Sequence, residues 1–191
     1  IGAYCQSAKR KIHVVPPGVP RLPMPVDKSQ ASVLLEAWFE RPRLPIILAV
    51  SRPVTKKNLA SLLMAYAQDA TLQRQANLVI LAGQHGHAAG EERANIDQLF
   101  SLIEACGLGG RVALPPAHDA HDVAALYAYA AQGGVFVNPA LHEPFGLTLI
   151  EAAAFGTPVV ATQNGGPAEI VAAIGHGELI DPRDTRAISR S

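Results

Sequence analysis

The stretch Ile46-Ile47-Leu48-Ala49-Val50 decides the fold. Five consecutive apolar residues with no polar alternation describe a strand that is buried on both faces. Such strands belong to a parallel sheet covered by helices on either side. Working outward, the same kind of run returns at Leu78-Val79-Ile80-Leu81-Ala82, Val112-Ala113-Leu114, Val135-Phe136-Val137, Val159-Val160-Ala161 and Leu179-Ile180. Successive starts are separated by 32, 34, 23, 24 and 20 residues, room for one crossover helix each time. The segments between them read as helices. Leu59, Leu62, Leu63 and Tyr66 follow i, i+3, i+4, i+7 spacing behind Asn58 as N-cap, and Ile96, Leu99, Phe100 and Ile103 repeat the pattern before Gly107. Asp122 is expected to open a third helix through Leu126 and Ala130, and residues 148–155 a fourth, closed by Gly156 and Pro158. The predicted architecture is α/β, a doubly wound parallel sheet.

Composition narrows the function classes. Hydrophobic residues make up 49% of the 191 positions and charged residues only 17%, which marks a folded rather than a disordered chain. Sixteen basic and sixteen acidic residues cancel. That balance argues against a general nucleic-acid surface and a polybasic membrane surface. The longest apolar run, residues 123–131, is nine long, well short of the roughly 20 residues that span a bilayer. The N-terminus, Ile1-Gly2-Ala3-Tyr4-Cys5, has no charged region followed by an apolar core, so no signal peptide is expected and the cytoplasm suits the chain. Cys5 and Cys106 read as two buried or idle thiols in a reducing compartment. A first residue other than Met, and a helix that starts near Asp184 and stops at Ser191, read as a fragment cut at both ends.

The first 45 residues are different in kind. Residues 12–15 suit a strand, Pro16-Pro17-Gly18 a rigid turn, and Pro20, Pro23, Pro25, Pro42 and Pro45 punctuate the rest around a helical stretch at 32–39. Residues 1–45 are therefore expected to be a linker and the end of a preceding domain, and residues 46–191 the ligand-binding domain.

Ligands of an open parallel sheet bind beyond the carboxyl ends of the strands. The first such end reads Ser51-Arg52-Pro53-Val54-Thr55-Lys56-Lys57-Asn58. Its three cations suit a solvated loop; they also suit an anion clamp, with Arg52 as a planar fork and Lys57 as a point charge. The richest end is Asn138-Pro139-Ala140-Leu141-His142-Glu143-Pro144-Phe145-Gly146-Leu147-Thr148-Leu149-Ile150-Glu151. Pro144 and Gly146 shape a turn into a helix, leaving the N–H groups of Leu147 and Thr148 open to a phosphate. Glu143 and Glu151 bracket those donors as hydroxyl acceptors, an arrangement that matches a nucleotide sugar. Asn164-Gly165-Gly166-Pro167 is a tight turn that also permits close backbone approach to a ligand. No G-x-G-x-x-G and no Walker lysine are present, so dinucleotide dehydrogenases and P-loop NTPases are set aside. His85, His87, His118 and His121 lack a third metal ligand at suitable spacing and read as loop or helix-start histidines.

The run from Glu143 to Glu151 resembles the donor-site signature of retaining GT-B glycosyltransferases. Ser51-Arg52-Pro53 with Lys56-Lys57-Asn58-Leu59, Gly134-Val135-Phe136-Val137-Asn138-Pro139-Ala140-Leu141, and Pro158-Val159-Val160-Ala161-Thr162 with Asn164-Gly165-Gly166-Pro167 are similar to the sucrose-phosphate synthase family. Pro144 stands where the sucrose synthases usually have Ala. The resemblance implies a Rossmann-like C-terminal half of a GT-B fold lacking its final helices. It implies that Arg52 and Lys57 meet the diphosphate of UDP-glucose, that Glu143 meets a glucose hydroxyl, and that Glu151 meets the ribose. Phe145, Gly146, Leu147 and Thr148 would approach sugar and phosphates through their backbone, and Leu114 to His118 with the helix from Asp122 would flank the uracil. Arg52, Lys57 and Glu143 are the implied catalytic set, with no metal and no cofactor beyond the substrate itself. The implied reaction passes glucose to fructose 6-phosphate, giving sucrose 6-phosphate, with acceptor and catalytic histidine in a separate N-terminal domain; these residues alone are expected to be inactive. A different donor or acceptor, such as GDP-mannose, and a non-catalytic nucleotide-sugar-binding module remain open on the residues.

Overall fold

The computed structural model describes residues 28–190. Cys5, the strand expected at 12–15 and the Pro16-Pro17-Gly18 turn lie outside the described residues. Six strands, β1 (Ile46–Val50), β2 (Asn77–Leu81), β3 (Val112–Ala113), β4 (Val135–Asn138), β5 (Val159–Thr162) and β6 (Glu178–Ile180), form one sheet in the order β3-β2-β1-β4-β5-β6. Every pairing is parallel, with Ile46 opposite Asn77 on one side of β1 and Ile47 opposite Val135 on the other. This is the doubly wound α/β sheet that the apolar runs predict. The helices are α1 (Lys28–Glu36), α2 (Leu59–Gln68), α3 (Ala70–Gln75), α4 (Gly90–Ala105), α5 (Ala120–Ala130), α6 (Leu147–Ala154), α7 (Pro167–Ile174) and α8 (Thr185–Arg190).

The uninterrupted apolarity of β1 has a direct cause. Successive side chains point to opposite faces, and each face has its own helical cover. Ile47 and Ala49 pack with Leu59, Leu62, Leu63 and Tyr66 of α2 and Leu99 of α4. Ile46 and Leu48 pack on the other side with Ala31 and Leu35 of α1, and with Leu126 and Tyr127 of α5. The described part of the expected linker thus contributes a helix to the core, and Phe39 beyond that helix is buried with it. Helix α1 begins earlier than the stretch 32–39, ending at Glu36.

Helix ends are set by short local motifs. Gly107, in the left-handed region at φ 62°, closes α4: its N–H donates to the Glu104 carbonyl and the Leu108 N–H to that of Ile103. The third predicted helix starts two residues before Asp122. Asp119 is the cap, accepting from the N–H groups of His121 and Asp122, while the Asp122 carboxylate accepts from the Asp119 N–H at 2.9 Å. Asp122 is the third helical residue of that reciprocal capping box. Asn58 does occupy the N-cap position of α2, yet its side chain makes no capping bond and is used elsewhere. Cys106 is an exposed free thiol, so of the two expected states, buried or idle, burial does not apply to it.

Gly134 shows how tightly the sheet is packed at its base. A Cβ there would lie 2.3 Å from the Ile46 carbonyl oxygen and 3.0 Å from that of Ala130. Neither backbone atom can move without breaking the sheet or α5. Gly134→Ala is expected to lower the stability to urea by about 1–3 kcal/mol, the overpacking range. Gly109→Ala, where an added methyl meets nothing within 4 Å, should unfold like the parent. Equal midpoints for the two variants would show that the base of β4 tolerates the methyl.

Candidate functional site

Strand order reverses between β1 and β4. The chain leaving β1 enters α2 on one face of the sheet, and the chain leaving β4 enters α6 on the other, so a crevice opens between the two loops. Val50, Ser51, Lys57, Asn138 and Pro139 line it. The two stretches singled out in the sequence are the two walls of this crevice.

Lys57 and Glu143, 86 positions apart in sequence, meet across it. The ammonium of Lys57 donates to Glu143 Oε2, and both side chains are largely withdrawn from water, at 19% and 8% exposure. Asn138 Nδ2 donates to the same oxygen at 3.1 Å, while the N–H groups of Phe145 and Gly146 donate to Oε1 at 3.4 and 3.3 Å. Burial pushes the Glu143 carboxyl up, but the bonds from Lys57 and Asn138 outweigh it and hold the group below its ordinary range. It is an ionised carboxylate that accepts from four donors.

A third loop braces the second. The Glu143 N–H donates to the Asn164 carbonyl at 2.9 Å, and the Gly166 N–H returns a bond of 2.9 Å to the Glu143 carbonyl. A Cβ on Gly165 would lie 2.1 Å from that carbonyl oxygen. The close approach read from Gly165-Gly166 is thus to the protein's own backbone. Asn164 Nδ2 also donates to the Leu141 carbonyl, and the Leu141 N–H to that of Lys56.

Gly146, at φ 79°, turns the chain into α6. The N–H groups of Leu147 and Thr148 precede the first intrahelical acceptor, which the Leu149 N–H reaches at Gly146. Beside them, Phe145 is exposed to 62%. Glu151, one turn along α6, accepts from the Tyr127 hydroxyl at 3.3 Å, and the same hydroxyl reaches the Thr148 carbonyl. Burial raises the Glu151 carboxyl, only partly offset by the Tyr127 bond. Its environment is the reverse of that of Glu143.

Arg52 and Lys57 answer different acids. The Arg52 guanidinium is 70% exposed and lies 3.7 Å from Glu92 at the start of α4. The neighbouring Glu91 accepts from the Thr55 N–H, which keeps its carboxyl below the ordinary range. The segment after β3 lines a pocket with Trp38, Pro115, His118 and Asp122. His85 is buried and His118 half-buried, and burial lowers the pKa of both. Among the described residues no group of three or more His, Cys, Asp or Glu side chains is placed to hold a metal ion. No helix among them is long and apolar enough to cross a membrane. Sequence reading misses Asn138, Tyr127 and Asn164 as site residues; the Asn side chains stand in the quoted loops, whereas nothing local points to Tyr127.

Residues 34–191 match the family described as glycosyl transferases, group 1. Sucrose-phosphate synthase 4 of Arabidopsis thaliana is 47% identical over 158 residues, covering 80% of this chain and 15% of that protein. The structure of sucrose-phosphate synthase from Thermosynechococcus elongatus superimposes with a TM-score of 0.71 at 31% identity, over 96% of this chain and 44% of the other. Anabaena HepE, solved in complex with UDP and glucose, gives 0.69 at 25% identity, over 86% and 42%. This chain spans a small part of the plant enzyme and under half of either solved one.

The two glutamates should respond oppositely to neutralisation. Glu143 is held below its ordinary value of 4.5, so its contribution is present above that pH and fades as pH falls through the lower folded-state value. Glu151 is held above 4.5, so its ionised form costs stability at neutral pH, and the cost fades as pH falls through the raised value. Glu143→Gln is expected to lose about 2 kcal/mol at pH 7, the scale of a charge-assisted hydrogen bond. Glu151→Gln should be at least as stable as the parent at pH 7. Urea unfolding at pH 7 and pH 4 reads both differences, and each should shrink at the lower pH. A destabilised Glu151→Gln at pH 7 would contradict the assigned environments.

Proposed function

The chain belongs to the group 1 glycosyltransferases, and from that premise we propose that it holds the nucleotide diphosphate of UDP-glucose during glucose transfer. The observation that carries this reading is the contact of Lys57 with Glu143, in the turn that leads into the first N–H groups of α6 at the crevice between β1 and β4. A diphosphate seated at the start of α6 meets backbone donors, the positive end of the helix dipole and one nearby ammonium. Arg52, free to swing from its exposed pairing with Glu92, adds a second cation. These groups stabilise the negative charge that grows on UDP as the glycosidic bond breaks, with configuration retained. The charge is met by side chains and backbone dipoles.

Glu151, held ready by Tyr127, accepts from the ribose hydroxyls. Glu143 has one role in hand, fixing Lys57 and the turn, and in this reading a glucose hydroxyl shares its carboxylate. The backbone at Phe145 and Gly146 borders the sugar, and the pocket by Trp38 and His118 takes the uracil. The acceptor is fructose 6-phosphate bound by a separate domain, as the sucrose-phosphate synthase relatives suggest. The cytoplasm is the proposed compartment.

Titration calorimetry with UDP tests the donor site. Lys57→Ala is expected to weaken UDP by about 1.5–3 kcal/mol, the range for bonds to charged groups. Arg52→Ala, at an exposed and screened position, should cost under about 1 kcal/mol. Glu151→Ala should weaken UDP and UDP-glucose alike, and Glu143→Ala should weaken UDP-glucose more than UDP. Unchanged UDP affinity in Lys57→Ala would remove the diphosphate from this crevice.

A further inference from the structure

Asn58 is the single non-glycine residue with positive φ among the described residues, at φ 58° and ψ 30°. A left-handed residue is tolerated best as Gly, with Asn next, and a Gly here would satisfy the backbone. The side chain explains why Asn stands in this place. Its Nδ2 donates to the Pro139 carbonyl at 3.0 Å and to the Pro182 carbonyl at 2.8 Å. Its Oδ1 accepts from Ser61 Oγ at 2.7 Å, which orients the amide so that both N–H bonds face the two carbonyls. One amide therefore ties the loop after β1 to the loops after β4 and β6.

Two positions earlier the same grip is repeated: the Lys56 carbonyl accepts from the Leu141 N–H at 2.9 Å. Lys57 lies between these two anchors. Its backbone is fastened on both sides to the β4 loop, the loop that also carries Glu143.

We propose that Asn58 is a positioning residue that sets Lys57 for an anionic ligand by locking the β1 loop onto the β4 and β6 loops. It touches no ligand itself. The inference rests on the reading of Lys57 as a diphosphate contact for its functional meaning, while the positioning of Lys57 against Glu143 is a property of the free protein.

The test uses the full chain with two variants. Asn58→Gly keeps the left-handed backbone and deletes the amide. Ser61→Ala removes only the bond that orients it, and so gives a well-folded reference. The first readout needs no ligand: the Glu143 carboxyl is titrated by carbon NMR. A displaced Lys57 stops holding the proton off, so the midpoint should rise in Asn58→Gly and, by less, in Ser61→Ala. The second readout is UDP affinity in a double-mutant cycle. Asn58→Gly is expected to weaken UDP about tenfold when Lys57 is present and less than about twofold in a Lys57→Ala background, as coupled neighbours do. A role in stability alone would weaken UDP equally in both backgrounds and leave the midpoint in place. An unmoved Glu143 midpoint in both variants overturns the proposal, whatever UDP does. If UDP fails to bind the parent chain, the diphosphate reading falls, and the midpoint still decides the role of Asn58.

Discussion

The loops after β1 and β4 meet at the ion pair between Lys57 and Glu143. Two opposite charges with little access to water are a poor source of stability, because desolvation consumes most of their attraction. What makes the pair sustainable is the completeness of its hydrogen bonding. Glu143 presents two oxygens, and four donors from Lys57, Asn138, Phe145 and Gly146 converge on them. The pair is best understood as a geometric constraint. It fixes the distance between loops that leave the two central strands in opposite directions, and it keeps an ammonium beside the first turn of α6.

The two glutamates show how one loop and helix produce different chemistry from the same side chain. Glu143, in the turn, is surrounded by donors and stays charged. Glu151, on the helix, is half-buried against a tyrosine, and burial disfavours its charged form. Tyr127 is itself pushed up by burial and then by the carboxylate beside it, so its hydroxyl remains a donor. In the proposed reading, a pair of hydroxyls adds to the single tyrosine bond that only partly offsets the burial of this carboxylate. That is the physical case for a ligand contact at Glu151, independent of the seven-residue spacing.

The sheet is legible in the sequence because each strand is apolar on both faces, a signal that needs no partner to interpret. Helix ends are legible where one residue type decides them, as at Gly107 and Gly156. They are displaced where two residues act together. Asp122 looks like a cap because its reciprocal partner, Asp119, lies outside the apolar periodicity. Helix α7, which follows the Gly165-Gly166 turn with Pro167 at its start, carries too short an apolar pattern to stand out. At the site, the two loops are legible from composition, and the contacts between them are not. Lys57 and Glu143 lie 86 positions apart, and no local pattern says which carboxylate an exposed-looking lysine will find. Position alone makes Asn58 a cap, whereas its φ turns the side chain away from the helix and towards two other loops.

Gly165 settles whether the crevice is shaped by its ligand or before it. A glycine at the end of a strand suits a ligand that must come close. The space over Gly165 is instead filled by the carbonyl of Glu143, so near that any side chain would displace the turn. A Cβ on the neighbouring Gly166 would lie 2.8 and 2.9 Å from the carbonyl oxygens of Pro144 and Phe145. The loop after β5 is therefore a buttress under the turn that holds Glu143, and through Glu143 under Lys57. Three loops are locked by backbone bonds, asparagine side chains and one ion pair before any ligand arrives. Groups fixed in advance need not be ordered on binding, and that saving is available to stabilise charge. The large apolar side chain left exposed on this turn, Phe145 at 62%, is also one that the lock does not use. In the proposed reading, a sugar nucleotide meets a floor already tied together and covers the exposed ring of Phe145.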